Sequence, residues 1–326
     1  MPHDGVARGG GTAAAAGTPR RLTVLAAGSA TAVFEYGPRT GQVIIAVHGF
    51  RGTHAGLEPL AQALASLGYR VLAPDLPGSG ASAALGSPHD TAGYAAWLSE
   101  LVDRCDRAPT LLGHSYGTVI VAAAIAGGAT ARGTVLLNPI LTPPLSGPKW
   151  AATALARGYY ALARRLPAPL GLALLGSRTI AEISGMFMTS SPDRGMRRVI
   201  RLEHRRQASA FASREVVFDT YRASTTSTVA HFAGGLRGPT LLVGAGRDPL
   251  SPARAFAPAA SGMRDAAVHV FSDYGHLLPY EAPAETADLI AAWDAAITGE
   301  PGPGADTQTA PCLPVSGLAR GRENRG

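Results

Sequence analysis

Five residues, Gly113-His114-Ser115-Tyr116-Gly117, carry the strongest chemical signal in the chain. They match G-x-S-x-G and stand between an apolar run that reads as a strand (110–115) and one that reads as a helix (116–128). A strand turning at once into a helix pushes the central side chain into the open. Glycines two residues to either side remove side chains that would collide as strand and helix close up. The helix N-terminus offers unpaired N–H groups to a negative charge. Ser115 is therefore a candidate nucleophile, and a serine hydroxyl needs a base to become one.

A base and an acid are predicted downstream. Strand 239–246 runs into Gly246-Arg247-Asp248-Pro249, and strand 267–273 into Tyr274-Gly275-His276. Both loops lie just past the carboxyl ends of strands, where open α/β sheets place their sites. His276 would take the Ser115 proton, and Asp248 would fix the imidazole tautomer. Asp248 also suits a turn before proline, His276 also suits a polar loop, and Asp273 is a rival acid. An oxyanion hole needs two more donors. His48-Gly49-Phe50-Arg51-Gly52 follows strand 42–49, so the backbone N–H groups of Phe50 and Tyr116 are the candidates. His48 is expected to brace that loop, and His54 to line the pocket or cap a helix. His114 is expected to point into the core and bond there, while His89, His204, His231 and His269 lack a placed partner.

The elements that must position these residues follow from the patterning. The chain has 326 residues, 46% hydrophobic and 16% charged, which excludes a disordered protein and allows a large core. At roughly 150 residues per domain this is two domains, or one large α/β domain with an insertion. Strands 42–49, 69–75, 110–115, 133–138, 239–246 and 267–273 alternate with helices 55–68, 91–106, 116–128, 252–260 and 281–297. Near-continuous apolar strands between helices indicate an α/β fold, a mostly parallel sheet with helices on both faces. Residues 139–236 break the alternation. They open on a Pro-rich stretch, then read mostly helical, too long for a plain loop, and suggest a helical lid. The expected organisation is core domain 21–138 and 237–298, lid 139–236, and unstructured tails 1–20 and 299–326.

Net charge is +6, but residues 139–238 hold 14 basic and 5 acidic residues, a net of +9. No nucleic-acid-binding signature accompanies them, so a solvated face or an anion-attracting rim is the expectation and no nucleic-acid partner is predicted. Two cysteines, Cys105 and Cys312, suggest neither a disulfide nor a zinc set, and no cofactor or metal is expected. No apolar run reaches the ~18 residues of a membrane span. Arg20-Arg21 before LTVLAAGSATA resembles a twin-arginine export signal, yet the same residues read as a β-hairpin. Without export the location would be cytoplasmic.

Taken together, the His48-Gly49-Phe50 loop, the Asp75-Leu-Pro-Gly-Ser-Gly80 turn, the elbow at Ser115, the Gly246–Pro252 acid loop and the Gly275-His276 pair resemble the α/β-hydrolase superfamily over about residues 22–298. The resemblance implies an eight-stranded, mostly parallel sheet with a lid after the sixth strand, and a cofactor-free Ser-His-Asp hydrolase. Epoxide hydrolases and haloalkane dehalogenases of that superfamily use Asp where this chain has Ser115, despite lid tyrosines Tyr159, Tyr160 and Tyr221. The expected function is a serine hydrolase acting on a small-molecule ester or related acyl bond through an acyl-enzyme. Thioesterase, carbon–carbon bond hydrolase and perhydrolase activities share the same residues, and a slow, hydrolase-like ligand-binding protein is the alternative of another class. Trp150, Leu155, Leu162, Leu174, Leu175, Met186, Phe187 and Met188 are expected to line an apolar pocket or to pack the lid onto the core.

Overall fold

In the central strands both residue parities are apolar, and this decides the layers. Successive side chains of a strand point to opposite faces, so a strand apolar throughout needs cover on both. In the computed structural model, which describes residues 18–143 and 150–299, Ile45, Leu111, Leu136 and Leu242 enter one core, while Ile44, Leu112, Val135 and Leu241 enter the other. The strands are β1 (Arg20–Ala26), β2 (Ser29–Tyr36), β3 (Val43–Val47), β4 (Arg70–Pro74), β5 (Thr110–His114), β6 (Gly133–Leu137), β7 (Pro239–Ala245) and β8 (Asp265–Phe271). They form one eight-stranded sheet in the order β1-β2-β4-β3-β5-β6-β7-β8. Pairing is antiparallel between β1 and β2 and between β2 and β4, and parallel from β4 to β8.

One face is covered by α2 (Thr91–Val102) and α3 (Tyr116–Ala126), through Trp97, Leu98, Val119 and Ile120. The other is covered by α1 (Glu58–Ser66) and by the C-terminal helix Pro283–Thr298, through Leu60, Leu64 and Ile290. Helix α3 is buried without a break from Tyr116 to Ala124, which explains its apolar composition on every side.

The residues with two readings, Arg20-Arg21 and the segment after them, form the β1–β2 hairpin. Ala27 and Gly28 both take positive φ, 47° and 74°, as a two-residue turn between right-twisted strands requires. Strand β1 starts at Arg20, inside the stretch expected to be a tail, because Arg20 lies opposite Glu35 and its Nε donates to that carboxylate at 2.6 Å. Arg70 donates to the other oxygen at 2.6 Å. Burial alone would raise the Glu35 pKa, but the two guanidinium groups more than offset it and hold the carboxyl below its usual value. The remainder of both expected tails lies almost wholly outside the described residues.

After β6 the chain makes α4 (Trp150–Arg165), α5 (Ala168–Leu175), α6 (Arg178–Met188), α7 (Arg194–Gln207) and α8 (Arg214–Thr226) before β7. The helix expected over 252–260 is instead a single 3-10 turn, Ala253–Ala255, followed by α9 (Phe256–Ser261). Pro258 lacks an N–H and fits only the first helical turn, so the helix has to start again beside it. The helix expected over 281–297 is α11 (Pro283–Thr298), with Pro283 at its first position, and a separate short helix, α10 (Leu278–Glu281), precedes it. Among the described residues no helix is long and apolar enough to cross a membrane.

Candidate active site

Ser115 joins β5 to α3 with φ 56° and ψ −123°, a strained conformation for a residue with a side chain. Its N–H is fixed on the Leu137 carbonyl at 3.0 Å, and its own carbonyl accepts the Thr118 N–H at 3.0 Å. The flanking glycines are steric requirements. A Cβ at Gly113 would stand 2.5 Å from the Gly117 carbonyl oxygen, and one at Gly117 would run into the Val47 carbonyl. A Cβ at Gly49 would stand 2.9 Å from that of Ser115. The end of β3 and the elbow therefore touch backbone to backbone.

The loops after β7 and β8 bring Asp248 and His276 to this elbow. The Ser115 hydroxyl lies 2.8 Å from His276 Nε2, and His276 Nδ1 lies 2.8 Å from Asp248 Oδ2. Asp248 is buried, and its Oδ1 accepts the N–H groups of Leu250 at 2.7 Å and Ser251 at 3.0 Å. Burial pushes the Asp248 pKa up. The His276 charge and hydrogen bond, with the Leu250 and Asn138 donors, more than reverse that and keep it below its ordinary value. Asp248 is thus held as a carboxylate facing Nδ1, and Nε2 on the other side of the ring faces the Ser115 hydroxyl.

Asp273, the rival acid, is directed elsewhere: it takes a hydrogen bond from Arg247 at 2.8 Å and is largely exposed. His114 donates or accepts nothing toward Ser115; its Nε2 lies 2.9 Å from the His276 carbonyl oxygen, so it props the loop that bears His276. Burial, with His276 nearby, lowers the His114 pKa to about 3 and keeps the ring neutral.

The peptide between Gly49 and Phe50 has a defined orientation. The Gly49 carbonyl accepts from His48 Nδ1 at 2.8 Å and from the Gly52 N–H at 3.1 Å. In a trans peptide N–H and C=O point opposite ways, so the Phe50 N–H is turned away from those donors. Tyr116 is the first residue of α3, and its N–H has no intrahelical acceptor. Neither N–H has a partner among the described residues. His48 Nε2 accepts the Leu76 N–H at 2.9 Å, tying the loop to the turn after β4. His54 takes neither role expected of it. Its Nδ1 lies 2.8 Å from Asp75 Oδ1 and its ring stacks on Phe34, while Thr53 caps the 3-10 turn His54–Gly56.

Two residues that hold the site were missed. Asn138, at the end of β6 with φ 48°, donates from Nδ2 to Asp248 Oδ2 at 2.9 Å and to the Gly275 carbonyl at 3.2 Å. One amide thereby joins the acid loop to the histidine loop. Its position just past a strand end was the available signal. Glu281 is buried and accepts the N–H groups of Gly275 at 3.1 Å and Ser190 at 3.2 Å.

Ser190 belongs to the insertion, which grips the site on several sides. The Met188 carbonyl accepts the His276 N–H at 2.9 Å. The Gly80 N–H donates to Ala210 at 3.0 Å, and the Ala212 N–H to Gly78 at 2.8 Å. Arg51, with φ 58°, donates to the carbonyls of Leu175 at 2.5 Å and Ala208 at 2.6 Å. The Phe50 ring packs 6.1 Å from both Tyr160 and Tyr221, which stack on each other at 3.8 Å. Of the expected pocket residues, Leu175 is buried, whereas Leu155, Leu162 and Phe187 are exposed, and the Trp150 side chain lies outside those described. An open groove between α2 and α3, lined by small residues such as Ala95 and Ala123, sits two turns along α3 from Ser115 and takes no part in this arrangement.

Known proteins show the same architecture. The model of the alpha/beta hydrolase family matches residues 44–289. Solved structures similar to this chain include an esterase from Thermogutta terrifontis (21% identity, 85% of this chain and 99% of that one, TM-score 0.67). The epoxide hydrolase CorEH (18%, 86% and 99%, TM-score 0.68) is another. So is a bromoperoxidase from Bacillus anthracis (18%, 85% and 99%, TM-score 0.69). At these identities the likeness is one of fold. No curated protein sequence matches significantly.

Proposed function

The chain belongs to the alpha/beta hydrolase family and is a hydrolase, and from that premise we propose that it cleaves an ester or related acyl bond through a Ser115 acyl-enzyme. The observation that carries this reading is the unbroken chain from Ser115 Oγ through His276 to Asp248, each step 2.8 Å. The Ser115 oxygen attacks the acyl carbon as its proton passes to His276 Nε2. The carbonyl electrons move onto oxygen, and the N–H groups of Phe50 and Tyr116 hold that oxyanion, donors typically worth 10²–10³ each in rate. Asp248 stabilises the imidazolium without taking its proton. The imidazolium then protonates the departing alkoxide, and water, deprotonated by His276, releases the acid and restores Ser115.

The insertion serves as the lid, and Phe50, Tyr160 and Tyr221 form an aromatic wall beside the oxyanion donors. The Tyr221 hydroxyl is buried without a partner among the described residues. A series of p-nitrophenyl esters of increasing acyl length, run beside thioesters and with fluorophosphonate labelling, tests the proposal. A label on Ser115 and preferential ester turnover are expected. Absence of both label and turnover in folded protein would overturn it.

A further inference from the structure

Exposed apolar side chains are not spread evenly over this molecule. Of the ten large ones among the described residues, eight lie between Leu155 and Leu202, and only Leu25 and Val268 lie elsewhere. Scattered singly they would need no explanation. Here they recur at helical spacings: Leu155 and Leu162 in α4, Ile183 and Phe187 in α6, Val199 and Leu202 in α7. Leu155 is 77% exposed and Ile183 64%.

The same four helices, α4 to α7, carry ten arginines, all exposed, against two acidic residues within them and a third, Asp193, at the N-cap of α7. Of the three acidic residues, Asp193 caps α7, and Glu182 and Glu203 pair with Arg205 and Arg206. The other eight arginines have no carboxylate partner among the described residues. In α7, Arg197, Arg198 and Arg201 alternate with the exposed Val199 and Leu202.

The chemistry of an occupant follows. A second copy of this face would set like charge against like charge. A nucleic acid would use the guanidinium groups and leave the leucines, isoleucine and valine in water. A neutral apolar protein surface would use the leucines and strand the arginines. An anionic bilayer surface uses both, with headgroup phosphates for the forked donors of arginine and the acyl boundary for the apolar side chains. We propose that the exposed side of the packed pair α6–α7 docks on an anionic phospholipid membrane as a peripheral, non-spanning contact. The inference is independent of the serine-hydrolase reading, since it concerns adsorption and not turnover.

The test is sedimentation of the full chain with vesicles of phosphatidylcholine alone and with about 30% phosphatidylglycerol. Binding to the anionic vesicles at least about 10-fold tighter than to the neutral ones, and weakened by raised salt, is expected. The triple variant Ile183→Ser, Val199→Ser, Leu202→Ser should lower partitioning about 10-fold or more. The variant Arg197→Gln, Arg198→Gln, Arg201→Gln should abolish the anionic preference. Both should keep the thermal midpoint and the turnover of a short, water-soluble p-nitrophenyl ester. No binding to anionic vesicles, or binding unaffected by both variants, would overturn the proposal. Dimerisation lost in the serine variant, or RNA binding lost only in the glutamine variant, would replace it with another partner.

Discussion

The sheet and the insertion after β6 dispose of their apolar residues in opposite ways. In the sheet, β5 and β6 are buried along their whole length, and their helices close over both faces. In the insertion, the clusters are small. Ala163, Leu175 and Val217 form one, and Ile200 packs with Leu277 and Tyr280 of the core domain in another. Among the described residues, the stretch from α4 to α8 buries only Ala163, Leu175, Ile200, Ala208, Val216, Val217 and Ala223 as apolar side chains, few for five helices. What holds the insertion is its attachment to the site: backbone bonds at Met188, Ala210 and Ala212, the Arg51 side chain and the aromatic wall on Phe50. The difference teaches that the sheet gives rigidity to the reacting groups, while the insertion is ordered chiefly where it meets them.

The largest effect should come from the group that the sheet holds. Ser115→Ala should lower esterase kcat about 10⁴-fold or more with the fold intact, measured by steady-state kinetics and circular dichroism. Asp248→Asn should cost about 10³–10⁴ through the wrong tautomer, and Asp273→Asn almost nothing. Next comes the packing contrast itself. Leu242→Ala, at a fully buried position of β7, should destabilise by about 2–5 kcal/mol in urea titration. Ile183→Ser, on the open face of α6, should stay within about 0.5 kcal/mol. Equal costs at the two positions would break the comparison.

Much of this contrast is legible in the amino-acid sequence. Two-sided burial follows from strands such as Thr110–His114 and Gly133–Leu137, because no alternation means no solvent face. The meeting of Ser115, Asp248 and His276 follows from each standing just past a strand end of one parallel sheet. Asn138 stands in an equivalent place but escaped notice. An amide is read as a strand terminator unless its partner is known, and its partner, Asp248, lies 110 residues away. Glu281 is concealed for the same reason, its partners being backbone N–H groups that carry no sequence signature. Leu155 and Leu162 were expected to line a pocket or to pack the lid onto the core, yet both are exposed, since helical periodicity marks an apolar stripe but not what it faces.

Smaller effects sharpen the boundary between the two regions. The folded chain keeps His114 neutral down to about pH 3, whereas the unfolded chain protonates it near 6.5. Between those values the unfolded state binds more protons, so stability falls as the pH is lowered from about 6.5 towards 3, by up to roughly 1.4 kcal/mol per pH unit. His114→Gln should flatten that slope in denaturant titrations at several pH values. Glu281→Gln weakens the link between Ser190 and Gly275. It should reduce kcat about 10-fold, with a smaller change in KM, because hydrogen bonds to charge are worth about 1.5–3 kcal/mol. An unchanged kcat would show that the insertion does not steady the histidine loop.

Arg51 gives this attachment a mechanical meaning. It is the covalent neighbour of Phe50, and its guanidinium reaches across to the carbonyls that end α5 and follow α7. Lifting the insertion must either break those two bonds or drag the Phe50 N–H with it. In the proposed mechanism that N–H is one of two oxyanion donors, so one residue couples the seating of the insertion to the chemistry proposed at Ser115.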